Sequence, residues 1–134
     1  MLALLVMAGA CSDTPTSASE VPGYSQTDVR LGTGTAAASG NLLGVQYTGW
    51  LFDPSKADQK GLPFDTSLGS TDPFSFTLGA GQVISGWDQG LVGMKVGGLR
   101  RLVVPPSLAY GTSRNSSIPP NATLVFDIEL VTLQ

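Results

Sequence analysis

Histidine and cysteine, which carry much of covalent and acid–base enzymology, are nearly missing from this chain. Its 134 residues include no histidine and a single cysteine, Cys11. Without an imidazole there is no Ser-His-Asp triad, no Cys-His pair, no HExxH zinc site and no histidine general base. One cysteine closes no internal disulfide and builds no thiolate cluster. Gly32-Thr33-Gly34 lacks a third glycine and a following helix, so it makes no nucleotide fingerprint. If the chain is an enzyme, its chemistry is of an undemanding kind. No metal and no cofactor is expected.

Charge narrows the partners. Seven Lys and Arg stand against ten Asp and Glu, for a net charge of −3. A surface that tracks phosphates needs a basic stripe, and these cations are scattered, so nucleic acid is not an expected partner. The length suits one domain with a core of its own. With 42% hydrophobic and 13% charged residues, 17 glycines and 9 prolines, the composition favours short strands and many turns over long charged helices.

The elements that must hold any site follow from pattern. Val29-Arg30-Leu31 is a short strand candidate, closed by Gly32-Thr33-Gly34. Residues 42–52 (LLGVQYTGWLF) form a long β-prone run that ends at Asp53-Pro54. Residues 55–62 (SKADQKGL) read as a polar loop. Phe74-Ser75-Phe76-Thr77-Leu78 alternates with period two. Residues 85–94 (SGWDQGLVGM) are the one plausible helix, with Trp87, Leu91 and Met94 on one side. Its three glycines mean that packing rather than propensity keeps it in place. Residues 99–104 form a strand stopped by Pro105-Pro106. In residues 123–133 (TLVFDIELVTL), Phe126, Ile128 and Leu130 take one face, and Asp127 and Glu129 the other. The expected result is an antiparallel sheet with one wet face and a short helix on its dry face.

Residues 1–10 (MLALLVMAGA) are uninterrupted apolar and small. The run is shorter than the roughly 20 residues that span a bilayer, and it suits the apolar region of a signal peptide. Ala8-Gly9-Ala10-Cys11 resembles a bacterial lipoprotein signal, which implies that Cys11 is lipidated and holds the domain on a membrane without a transmembrane helix. An ordinary signal peptide with an incidental cysteine is the alternative. The sequence departs from the signal in having Ala8 three before the cysteine and no preceding Lys or Arg. Residues 12–27 (SDTPTSASEVPGYSQT) are Ser/Thr/Pro-rich and read as a flexible tether, Tyr24 included without a role. The expected division is signal 1–11, tether 12–27 and folded domain 28–134. The expected location is outside the cytoplasm, in the envelope or periplasm, as a membrane-anchored lipoprotein.

Seven segments then occur in a telling order. They are Val45-Gln46-Tyr47-Thr48-Gly49, Pro63-Phe64-Asp65-Thr66-Ser67, Pro73-Phe74-Ser75-Phe76, Gly81-Gln82-Val83-Ile84-Ser85-Gly86-Trp87, Met94-Lys95-Val96-Gly97, Ala109-Tyr110-Gly111, and Ile118-Pro119-Pro120-Asn121-Ala122-Thr123-Leu124-Val125-Phe126. From Val45 to Leu133 the chain resembles the FKBP family of peptidyl-prolyl cis-trans isomerases. The resemblance implies an α+β fold, a twisted five- or six-stranded antiparallel sheet wrapped around one short helix. It also implies a pocket between helix and sheet. Carried over by position, Tyr47, Phe64, Asp65, Tyr110 and Phe126 are its catalytic residues, and Phe74, Gln82, Val83, Ile84, Trp87 and Ile118 bind substrate. Trp87 takes the floor, and backbone groups near residues 82–84 and the Tyr110 hydroxyl bind the peptide. Trp50, Phe52 and Phe76 are read as core or surface packing.

The implied reaction is rotation about Xaa-Pro bonds, the implied partners are such segments in exported clients, and rapamycin- or tacrolimus-type inhibitors are expected to bind. The reaction can do without acid, base or metal, since no covalent bond is made or broken. Asp65 is expected to accept the Tyr47 hydroxyl and orient a dipole rather than move a proton. The sequence departs from the family at residues 111–118 (GTSRNSSI), where the loop that overhangs the family's pocket is about one residue shorter than in its small cytosolic members and carries Arg114 and Asn115. After Asp65 it lacks an arginine that some members pair with this Asp; Arg100 is a possible substitute, and solvent-facing Arg100 and Arg101 the plainer reading. The rival functions are a non-catalytic proline-peptide-binding module or chaperone on the same fold, and an envelope-structural domain. A monomer is expected.

Overall fold

In the computed structural model the described residues are 23–113 and 117–134. Strands β1 (Ser25–Arg30), β2 (Leu42–Phe52), β3 (Lys60–Thr66) and β4 (Phe74–Thr77) precede one α-helix, α1 (Ser85–Gly90). Then come β5 (Leu99–Val104), a 3-10 turn (Pro106–Leu108) and β6 (Leu124–Leu133). The sheet runs β1-β5-β6-β2-β3, with β4 also on β2, and each ladder is antiparallel. This is the six-stranded form of the expected α+β fold.

β2 organises the sheet. One flank pairs with β6 from Leu43 opposite Leu133 to Leu51 opposite Leu124. The other flank is shared. Residues 42–45 pair with β4, and from Thr48 onward the partner is β3. Gln46 and Tyr47 lie in the fork. Ser67 fills it: its N–H donates to the Tyr47 carbonyl at 2.8 Å, its Oγ accepts the Tyr47 N–H at 2.7 Å, and its hydroxyl lies 2.7 Å from Gln46 Oε1. Ser67 thus pairs both main-chain groups of Tyr47 at the point where two strands diverge from one.

The core sits between the sheet and α1. Leu124, Phe126, Ile128 and Leu130 of β6 are buried with Leu43, Val45, Leu102 and Val104, as period two requires. Trp87, Leu91 and Met94 close the core from the other side. The helix is shorter than the expected 85–94 and ends at Gly90, with Gly93 at φ +92° in the turn that follows. Leu91 and Met94 keep their buried places from that turn. Phe76 is core, while Trp50 is half-buried with the Lys60 ammonium 4.2 Å from its ring centroid.

Three expectations are corrected. Ordered structure begins before Asp28. Ser25, Gln26 and Thr27 pair with β5, and Tyr24 is buried, its hydroxyl donating to Gln26 Oε1 at 3.1 Å. A Cβ at Gly90 would collide with the Tyr24 hydroxyl, so the helix gains its fit to this ring by carrying no side chain there. The region 55–62 is not loop throughout, because Lys60 and Gly61 open β3. Arg100 neither pairs with Asp65 nor faces solvent. It is 6% exposed, and its guanidinium donates to Asp28 Oδ1 at 2.7 Å and to the Gly90 and Val92 carbonyls at 2.7 and 3.0 Å. It ties edge strand β1 to the C-terminal end of α1, where a cation is favoured by the free carbonyls. Arg101 instead pairs with Asp127, which also holds Lys60. The expectations for residues 1–22, Cys11 included, and for Arg114 and Asn115 lie outside the described residues.

Candidate active site

The fork in β2 opens a cavity of about 170 Å³. β2 brings Tyr47 to it, β3 Phe64 and Asp65, β4 Phe74, and β6 Phe126. Gln82, Val83 and Ile84 come from the loop before α1, Trp87 from α1, and Tyr110 from the turn after Pro106–Leu108. Each expected site residue lines the cavity except Ile118, which is buried in the core instead.

The walls are aromatic edges around one indole. Trp87 is 4% exposed, with the Tyr47 ring 5.0 Å away at 80°, Phe126 5.3 Å at 84° and Phe74 6.2 Å at 77°. Edge-to-face contacts of this kind suit aromatic quadrupoles and fix ring orientation. The buried Trp87 N–H has no hydrogen-bond acceptor among the described residues. Phe64 meets Phe126 at 5.6 Å and 86°. That contact depends on Gly49, because a Cβ there would lie 2.6 Å from Phe64 Cζ and 2.9 Å from Phe126 Cε1. Phe74, at 41% exposed, forms an open side of the cavity.

The polar groups are few. Tyr47 donates its hydroxyl to Asp65 Oδ2 at 2.7 Å. Burial raises the Tyr47 pKa well above the ordinary tyrosine value, and the Asp65 hydrogen bond and charge raise it further. Burial, then the Asp65 charge, also raises that of Tyr110. Both phenols therefore remain protonated donors at neutral pH. Among the described residues Asp65 has no salt-bridge partner. No group of three His, Cys, Asp or Glu side chains is gathered for a metal among the described residues. Such a cavity can seat an apolar ring and hydrogen-bond a carbonyl; it is not equipped for nucleophilic attack.

Sequence reasoning gave no role to Ser67, Gly49 or Asp88. Ser67 holds the fork beside Tyr47, and Gly49 makes room for two wall rings. Asp88 binds the backbone of the loop that carries Val83 and Ile84. Ser67 and Gly49 lie inside motifs already noted, but only the three-dimensional contacts give them work.

The family model for FKBP-type peptidyl-prolyl cis-trans isomerase matches residues 33–131. An FK506-binding protein of Neisseria meningitidis serogroup B is 45% identical over 105 residues, covering 78% of this chain and 90% of that protein. FK506-binding protein 2B of Rhizopus delemar is 55% identical over 97 residues, 72% of this chain but 44% of the fungal protein. The crystal structure of FkpA from Escherichia coli superposes with a TM-score of 0.69 at 37% identity, over 87% of this chain and 54% of that one. The chain belongs to the FKBP-type peptidyl-prolyl cis-trans isomerase family. It spans nearly all of the Neisseria relative and about half or less of the other two.

Proposed function

We propose that this chain is a peptidyl-prolyl cis-trans isomerase that speeds rotation about Xaa-Pro bonds in exported proteins. The observation that carries the reading is the aromatic cavity with Trp87 beneath it and the Tyr47–Asp65 hydrogen bond in its wall. Tyr47, Phe64, Asp65, Tyr110 and Phe126 act on the turning bond. Phe74, Gln82, Val83, Ile84 and Trp87 seat the proline segment, while Ile118 belongs to the core.

Rotation about an amide crosses a barrier of about 18–20 kcal/mol because it breaks the C–N resonance. The planar amide has the more polarised carbonyl, and the twisted transition state the less. A dry cavity therefore costs the ground state more than the transition state, and each ~1.4 kcal/mol of that difference is tenfold in rate. The aromatic edges fit the twisted shape better than either planar isomer. Asp65 holds the Tyr47 dipole in a fixed direction and moves no proton. Rapamycin- and tacrolimus-type macrolides compete for the same walls.

Export rests on the apolar run of residues 1–10 and the following Cys11. We assign 1–11 as a lipoprotein-type signal, the Ser/Thr/Pro-rich stretch after it as a tether, and the remainder as the isomerase domain, acting as a monomer at the envelope. Refolding of an exported protein limited by proline isomerisation tests the activity. Added protein should speed the slow phase, and rapamycin should cancel the effect; an unchanged slow phase overturns the reading. The mass of the mature N-terminus tests the anchor, which requires an acylated Cys11.

A further inference from the structure

Asp88 follows the floor residue Trp87 on α1 but does not line the cavity. Its two carboxylate oxygens accept separate backbone N–H groups, Oδ1 from Gly79 at 2.9 Å and Oδ2 from Gly81 at 3.0 Å. Its own backbone N–H donates to the Ile84 carbonyl at 3.1 Å. The wall residues Gln82, Val83 and Ile84 are therefore the stretch between two attachments to one residue, Gly81 through the side chain and Ile84 through the main chain.

Val83 and Ile84 pack against the core, but few other hydrogen bonds hold that stretch. Among the described residues, the only backbone–backbone bond donated from 79–83 is Ala80 N–H to the Thr77 carbonyl, at 3.4 Å. Such a length is at the weak end for N–H···O. The other fastening is again a side chain, Gln82 Oε1 accepting the Thr77 N–H at 2.9 Å. Gly79 and Gly81 have φ of +82° and +75°, values that glycine adopts without a Cβ penalty, so no local preference selects this loop shape. Ile84 caps α1 without a side-chain hydrogen bond. A carboxylate accepting two backbone N–H groups makes charge-assisted bonds, roughly twice as strong as neutral ones.

We propose that Asp88 is a positioning residue for substrate binding, its carboxylate clamping the 79–81 turn so that the wall at residues 82–84 stands where a proline segment docks. The inference rests on the isomerase reading above. Asp88→Ala should raise KM, and the dissociation constant for a proline peptide, about tenfold, with kcat within about twofold. Amide hydrogen exchange at Gly79 and Gly81 should quicken in the same variant. Asp88→Asn keeps one acceptor oxygen and should fall between; it carries the test if Asp88→Ala does not fold. Asp72→Asn, which removes one exposed negative charge elsewhere, should change neither constant.

A lowered Tm with KM and peptide affinity unchanged would mean that Asp88 serves stability alone, and would overturn the proposal. So would an equal effect from Asp72→Asn. If the wild-type protein does not isomerise, the functional reading fails by itself; peptide affinity and amide exchange still decide whether Asp88 sets the wall.

Discussion

The Tyr47 hydroxyl donates to Asp65 Oδ2 at 2.7 Å, beside the fork where β2 leaves β4 and takes up β3. The bond joins two paired strands at that fork, and it aims one polar group into a cavity walled mainly by aromatic rings. Asp65→Leu should lower kcat/KM about tenfold, the scale of one oriented hydrogen bond lost in the transition state. Asp65 is exposed, so its urea midpoint should change little. Because the two residues act as a pair, Tyr47→Phe and Asp65→Leu should be less than additive in the double variant. Additive losses, or near-normal turnover in Asp65→Leu, would contradict this role.

Gly49 should tolerate no side chain. A Cβ placed 2.6 Å from Phe64 and 2.9 Å from Phe126 forces one ring out of its edge-to-face contact. Overpacking of this kind costs about 1–3 kcal/mol. Gly49→Ala should therefore lower Tm and weaken proline-peptide binding together, measured by thermal melts and titration. An Ala variant with native affinity would show that the Phe64–Phe126 geometry is dispensable.

Arg100 should matter for stability and not for the reaction. It is buried, with Asp28 and the Gly90 and Val92 carbonyls as partners, away from the cavity lining. Arg100→Ala leaves these acceptors without their donor, at a cost of about 2–4 kcal/mol. Lysine cannot reproduce the fork of donors, so Arg100→Lys should rescue only part. Denaturant melts check both. At temperatures where the variants stay folded, their kcat/KM should equal that of the native chain.

The pH profiles of activity and stability should separate. The chain has no histidine, and the pKa values of Tyr47 and Tyr110 are both raised, so kcat/KM should be flat from roughly pH 6 to 9. Stability should fall at both ends. Burial raises the Asp127 pKa, but hydrogen bonds from Arg101 and Lys60 outweigh it and leave it below the ordinary value. A carboxyl lowered on folding stabilises the native state above its unfolded pKa of about 3.9 and loses this as pH falls through the lower folded value. Asp127→Asn should flatten that acid limb in urea titrations. Burial, opposed by the Arg100 charge, raises Tyr24 to about 12. Its contribution should be intact below pH ~10 and be lost as pH rises toward that value, and Tyr24→Phe should make shallower an alkaline slope to which Tyr47 and Tyr110 also contribute.

Local pattern carried much of this architecture. The period-two faces of β4 and β6, the long run of β2 and the Trp87-Leu91-Met94 face all depend on neighbours a few residues away, so they were legible in sequence. β1 was misplaced for a physical reason: all six of its residues are exposed, and an edge strand that buries nothing shows no hydrophobic period. Tyr24 reads as tether because the core it joins, with Gly90 against its hydroxyl, is distant in sequence. β3 hid in a polar stretch because its opening residues, Lys60 and Gly61, are held by backbone pairing and by the Asp127 carboxylate rather than by apolar burial. The aromatic walls were found through family resemblance, since an aromatic on a strand is otherwise indistinguishable from core. Asp88 escaped notice because its partners are main-chain N–H groups, which carry no residue signature.

The central claim is that this cavity turns an Xaa-Pro bond without proton transfer. Exchange NMR on a short peptide with one Xaa-Pro bond tests it most directly. Catalytic amounts of the protein should raise the cis–trans exchange rate in proportion to concentration, equally in H₂O and D₂O, with the acceleration abolished by rapamycin. Peptide that binds while its exchange rate stays at the uncatalysed value would contradict the account.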